Sequence, residues 1–300
     1  MAVLIRLLLV ILTFVLIIVL SQVALVSART RLERADLPTI AQQAWEGTSD
    51  YFTSLATGSL GEASSTSILG GQRRAMGELL LDAYWKSMVL VFLAVGIATV
   101  LGVAVGVLAA ASRGLRSRGI LLTATTLTVS LPSFLIAILL ILGGAEVTAR
   151  FGVRLWPTFG FGIDDHLIVP VIVLAARPFA QIANFAYVAT EDVLKLDYIR
   201  TARAKGLPRR TVVVRHGLRA ALTPIVTIFG IDVGTLIGST VISEVVFNLR
   251  GLGYLSIQSI RQQDLPIILG TTIVAAVALV IANILVDILY AVVDPRVTYS

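Results

Sequence analysis

The sequence predicts an all-α membrane protein with six transmembrane helices. Three observations carry this. Hydrophobic residues make up 57% of the 300 and charged residues only 14%, with a mean hydropathy of +0.92, too apolar for a soluble domain of this length. Six apolar runs are long enough to cross a bilayer. The loops between them alternate between an arginine-rich set and a charge-balanced set, as a fixed orientation requires. No cysteine is present, which excludes a disulfide framework, a thiolate metal site and a thiol nucleophile. The net charge of +6 sits mostly in one set of loops. It marks topology rather than nucleic-acid binding.

Ala2–Val26 is apolar apart from Arg6, Thr13, Ser21 and Gln22, and a helix of that length spans roughly 35 Å. It reads as a retained anchor rather than a cleaved signal peptide, because its apolar run exceeds an ordinary signal core. Residues 29–85 are rich in Ser, Thr and Gly with charges of both signs, and read as an extracytoplasmic loop. The chain therefore divides into 1–84, the first helix with its external loop, and 85–300, a core of five further helices.

The second and third spans are Met88–Ala111 and Ile120–Leu142. Gly96, Gly102 and Gly106 in the first of these allow close helix approach. Between the two, Arg113, Arg116 and Arg118 without an acid mark a cytoplasmic loop. Pro132, flanked by Ser130 and Ser133, predicts a kink in the third span. The external loop 143–166 ends in Asp164-Asp165-His166. Adjacent residues seldom converge on one ion, so these read as helix-capping acids and not as metal ligands.

The fourth span, Leu167–Thr190, carries Arg177-Pro178 near its middle, then Gln181 and Asn184. An ionisable residue at that depth faces protein or an aqueous cavity. Spacings of four and three place the three polar residues on one face. The fifth span, Pro224–Phe247, has Gly230, Gly234 and Gly238 as a close-packing stripe and Asp232 within it. Arg177, Gln181, Asn184 and Asp232 are candidates for a solute pathway, with a structural polar cluster as the alternative. Residues 248–264 form the last external stretch, amphipathic or re-entrant. In the sixth span, Leu265–Val293, Asp287 lies near the cytoplasmic end, placed to brace a basic loop.

That loop is the most polar long stretch of the chain. Asp197–Pro224 holds Arg200, Arg203, Lys205, Arg209, Arg210, Arg215 and Arg219 against one carboxylate, Asp197. Tyr198–Lys205 has the length of two helical turns. Gly206 and Pro208 stop it, and a second helix starts near Thr211. On composition alone this is a topogenic basic loop.

Its wording, DYIRTARAKGL, with Leu218 twelve residues after Gly206, resembles the cytoplasmic "EAA" coupling loop of ABC-importer permeases, in the form used by the peptide/nickel (Dpp/Opp) branch. Arg200-Thr201-Ala202 stands where the wider family has Glu-Ala-Ala. Further matches follow in order: Gly238, Glu244-Val245-Val246-Phe247, Gly251-Leu252-Gly253, Asn283 to Asp287, and Asp294-Pro295-Arg296. The sequence departs from the branch at Arg250, where relatives have Pro, and at Asn184 and Tyr187, where many have Arg. It also lacks the Pro-Gly-Asp-Pro usual after the first helix of B-type subunits.

The resemblance implies a type I ABC importer (MetI-like) permease fold. It implies a coupling segment, 191–222, whose Asp197, Tyr198, Arg200, Thr201, Ala202, Arg203, Ala204, Lys205, Gly206 and Leu207 dock on an ATPase. It further implies four kinds of partner: a second, C-type permease, two ATP-binding subunits, an extracytoplasmic binding protein and the lipid bilayer. ATP and Mg would sit on the ATPases, with no cofactor on this chain, in a prokaryotic plasma membrane with both termini cytoplasmic. Peptides are the branch's usual cargo, and nickel, glutathione and oligosaccharides are carried by relatives. The sequence holds no phosphate-binding G-x-x-x-x-G-K-[ST] motif and no metalloprotease or nucleophile-elbow motif. It does not read as an enzyme. An ion-coupled secondary transporter using Asp232, or a non-catalytic membrane scaffold, remains open on the residues alone.

Overall fold

The computed structural model describes residues 75–293 except 113, 114, 158 and 263, together with scattered positions between 12 and 53. Most of the expected first span, most of the external loop 29–85 and the Asp294-Pro295-Arg296 motif lie outside the described residues. Among the described residues five helices are long and apolar enough to cross a membrane.

The first of these, α1 (Met76–Ala111), starts well before the expected Met88. The stretch up to Trp85, expected as loop, is helical because it is amphipathic. Asp82 and Lys86 pair at 2.6 Å one turn apart. Leu79, Leu80 and Ala83 are buried with Met76 against Leu252, Leu255 and Ile267.

The expected single span Ile120–Leu142 is two helices, α2 (Leu115–Ser130) and α3 (Ser133–Phe151). Pro132 does not kink the chain but breaks it: its ψ of 137° is extended, and it caps α3. Proline offers no N–H to the preceding turn and disfavours helical geometry in the residue before it. Only α3 of the two qualifies as a membrane span. It also runs past Gly143, the expected loop start, helped by a Glu146–Arg150 pair at 2.5 Å, and ends at Gly152 with φ 67°.

A 3-10 turn, Asp165–Leu167, leads into α4 (Ile168–Val193), which keeps Pro178 inside it. Next comes α5 (Asp197–Ala204). A short helical turn, Arg209–Thr211, passes through a π-helical stretch, Val212–Leu218, into α6 (Arg219–Phe247). The last external stretch forms α7 (Leu252–Gln262), followed by α8 (Leu265–Val293). Asp264 Oδ1 accepts from the Ile267 N–H at 3.3 Å at the start of α8.

The chain folds into two compact units. One gathers the start of α1, α7 and the first half of α8, cored on the Met76–Ile267 cluster. Within it the Leu252 N–H donates to Ser87 Oγ at 2.8 Å. The other holds the rest of α1, α2 through α6, and the end of α8. Its centre is α4, which packs against α2, α3 and α6 and has 61% of its membrane-spanning window buried, against 11% for α3. Gly102 and Gly106 let α1 lie directly on α4. A side chain at Gly102 would sit 3.0 Å from the Phe179 carbonyl, and one at Gly106 2.8 Å from the Tyr187 nitrogen. Gly96 faces open space. The expected glycine stripe of α6 is only partly used: Gly230 meets Val286 of α8, whereas Gly238 has no neighbour within reach.

Candidate functional site: the coupling turn and the polar residues of α4 and α6

Two groups of expected site residues fall in the second unit. The first is the turn between α4 and α6. On α5, Ile199 and Ala202 point inward and are buried against Val212 of the π stretch, with Val193 and Leu194 at the end of α4 packed around them. The remaining residues from Asp197 to Leu207 are exposed. Tyr198 is 46% exposed and Leu207 38%. Arg200 and Asp197 pair at 3.3 Å, and the Thr201 hydroxyl donates to the Asp197 carbonyl at 3.1 Å. Arg203 reaches the Leu194 carbonyl at 3.5 Å.

The helix closes with a Schellman turn. Gly206 N–H donates to the Arg203 carbonyl at 3.0 Å and Leu207 N–H to the Ala202 carbonyl at 3.4 Å, the paired bonds of that motif. Gly206 has φ 77°, with open space where a side chain would begin. The constraint there is therefore backbone geometry, not room. Beyond the turn, the Arg209 guanidinium donates to the Ala111 carbonyl at the end of α1.

The π stretch was not anticipated. An i→i+5 helix accommodates one extra residue and often marks a functional position. The available signal was weak: a β-branched run, Val212-Val213-Val214, followed by Gly217, all poor α-helix formers. Packing selects the irregularity. Val212 and Val213 are buried, and a side chain at Gly217 would touch Leu194 at 3.4 Å.

The second group is the polar set on α4 and α6. Arg177 is exposed, whereas Gln181 and Asn184 are half-buried. Asn184 is tied to α2, its Oδ1 accepting from the buried Thr125 hydroxyl at 3.1 Å. That bond gives Asn184 a packing role, apart from its neighbours. Asp232 is 5% exposed and its Oδ2 has no hydrogen-bond partner. Arg177 is the charge whose field reaches it from α4. Arg177 thus acts on Asp232 through its charge, from α4 to α6, whereas Asn184 is tied to α2. Asp287 lies in α8, and its side chain is outside the described residues.

On the external side, Asp164 accepts from the His166 N–H at 3.1 Å and contacts the His166 ring at 2.6 Å. This is the capping arrangement expected for these acids. The His166 backbone bond, then the ring, holds the Asp164 carboxyl below its usual value. Among the described residues no three ligating side chains are grouped to hold a metal ion.

A family profile described as binding-protein-dependent transport system inner membrane component matches residues 102–299. The chain belongs to that family. The permease is 34% identical to the di/tripeptide transport system permease protein DppB of Pseudomonas aeruginosa (strain UCBPP-PA14), over 84% of this chain and 80% of that one. It is 34% identical to the glutathione transport system permease protein GsiC of Escherichia coli (strain K12), over 76% and 73% of the two chains. It is 46% identical to the oligopeptide transport system permease protein AppB of Bacillus subtilis (strain 168), where the match spans 46% of this chain and less than half, 45%, of the relative. Among solved structures, an inward-facing form of the MetNI methionine ABC transporter superposes with a TM-score of 0.60 at 19% identity. That match covers 73% of this chain and 98% of the other. An amino acid ABC transporter solved with histidines gives 0.55 at 16% identity, over 71% and 94%.

These likenesses settle the choice left open by the residues. The permease is a multi-pass plasma-membrane component of an ABC importer with the type I permease fold, not an ion-coupled carrier, a scaffold or an enzyme. It works with other ABC components.

Proposed function

We propose that this permease forms half of a path for peptides or a related small solute. The other half is a second permease, an external binding protein delivers the solute, and two ATP-binding subunits carry ATP and Mg. The branch relatives supply the solute class: the names of two refer to peptides and that of the third to glutathione. Both termini and the Arg200–Arg219 segment face the cytoplasm, from the arginine asymmetry of the loops.

The observation that carries the coupling reading is α5 itself. It is a short basic helix, seated by two buried side chains and otherwise exposed, and ended by a fixed Schellman turn. Asp197–Leu207 docks in a groove of the ATPase. Closure of the two ATPases on ATP drags α5, and α5 is packed on the end of α4 and on the π stretch that leads into α6. The pull therefore tilts the two helices that carry Arg177 and Asp232, and access to the path alternates. Arg177, Gln181 and Asp232 border the path, whereas Asn184 fastens α4 to α2.

Tagged permease should retain an ATP-binding subunit through purification, with substrate-stimulated hydrolysis in proteoliposomes. A permease that transports without one would sink the reading. Because the chain has no native cysteine, orientation is directly testable. Cysteine at Ser67 should label with a membrane-impermeant reagent in intact cells and cysteine at Ser117 should not.

A further inference from the structure

Glu191 sits on the last turn of α4, ahead of the coupling helix, and three side chains converge on it. Arg118, from the cytoplasmic end of α2, approaches it at 3.7 Å. Lys195, in the link between α4 and α5, approaches at 3.6 Å and also reaches Asp192 at 3.4 Å. Tyr187, buried one turn earlier, lies within interacting reach of Glu191 through its hydroxyl. The Arg118 guanidinium also lies over the Tyr187 ring, 5.6 Å from its centre, a distance at which a cation is attracted to an aromatic face. One carboxylate is therefore held both from α2 and from the lead-in to α5.

We propose that Glu191, gripped by Arg118 of α2 and Lys195 ahead of α5, is a positioning residue that passes the displacement of the coupling helix on to α2. The proposal rests on the reading of α5 as the coupling helix. Its physical basis is the geometry of the link. A pull on α5 acts first on Lys195 and the end of α4. Arg118 alone of these groups belongs to a different helix, and its guanidinium lies near both the carboxylate and the aromatic face. Arg118 and Glu191 side chains are 49% and 30% exposed, and pairs this open contribute little to folding stability. Breaking them should leave insertion and assembly intact and act on coupling.

The test is a charge-reversal cycle in the complete importer, reconstituted in proteoliposomes and read as solute transported per ATP hydrolysed. Arg118→Glu and Glu191→Lys should each lower that ratio roughly three- to fivefold, the equilibrium worth of a half-exposed pair, with the ATPase still co-purifying. The double variant should recover part of the loss, since the pair is re-formed with opposite sense while Lys195 then faces a like charge. Should either reversal fail to assemble, the neutral Arg118→Gln and Glu191→Gln carry the test. The loss in the double variant should then fall short of the product of the two single losses, because the Arg118–Glu191 interaction is removed in both singles. Single variants with wild-type ratios, or losses that simply multiply in the double variant, overturn the proposal. Gly206→Val in the same assay separates the two readings. If it couples normally, the coupling-helix reading itself fails. If it uncouples while the Arg118–Glu191 cycle is multiplicative, only the clasp fails.

Discussion

Gly206 and Asp232 belong to one stretch of chain, the first at the tip of the coupling turn and the second further on within α6, yet they are constrained in opposite ways. Around Gly206 the geometry is local. The bonds that fix the turn join residues 202 to 207, and the space beside Gly206 is empty. Around Asp232 the charge that acts is distant in sequence. Its carboxylate is buried with one oxygen unpartnered, and the charge acting on it comes from another helix. The coupling turn is a preset shape offered outward. The polar set is an arrangement that exists only when α4 and α6 are packed together.

The largest expected effect tests the preset shape. At φ 77° a β-branched residue costs about 1–2 kcal/mol, little for membrane insertion but large for a tip that, in the proposed function, seats in a groove. Gly206→Val should leave insertion normal and reduce coupled uptake by about tenfold, measured as uptake per ATP hydrolysed beside ATPase pull-down. Normal coupling would return this segment to a topogenic loop.

A smaller effect divides the polar set. Asn184→Leu removes the bond from Thr125 and should cost about 1 kcal/mol, seen as earlier thermal unfolding in detergent. Gln181→Leu should leave unfolding unchanged and alter transport rate or solute preference. Equal behaviour of the two variants would show that the face is not split as the Thr125 bond indicates.

The smallest effect concerns the external Asp164 cap, which is local like the Gly206 turn but depends on charge. Its carboxyl is held below the usual 3.8, chiefly by the His166 N–H. A depressed folded value means that the cap stabilises above the ordinary carboxylate range and that this contribution is lost as pH falls through the folded value. The difference in thermal unfolding between the wild type and Asp164→Ala should therefore be small at neutral pH and close as pH drops below 3.8. A difference that widens on acidification would rule the cap out.

What the sequence by itself determined is what short-range chemistry encodes. Apolar runs of bilayer length set the spans, and arginine set the loops. Gly206 and Pro208 set the end of α5, because a left-handed residue and a missing N–H act on the chain within a turn of themselves. Local reading went wrong where neighbours decide. Leu79, Leu80 and Ala83 extended α1 into what looked like loop, since Leu252, Leu255 and Ile267 bury them. Gly230 found a partner in Val286 and Gly238 found none. Only the tertiary structure turned Asn184 toward Thr125, left Asp232 with a free oxygen, accommodated a π stretch over Val212–Leu218 and gathered Arg118, Tyr187 and Lys195 around Glu191. The Thr125 bond, the field of Arg177 at Asp232 and the approach of Arg118 to Glu191 each cross between helices, and helical periodicity says which face a residue shares but not which helix will meet that face.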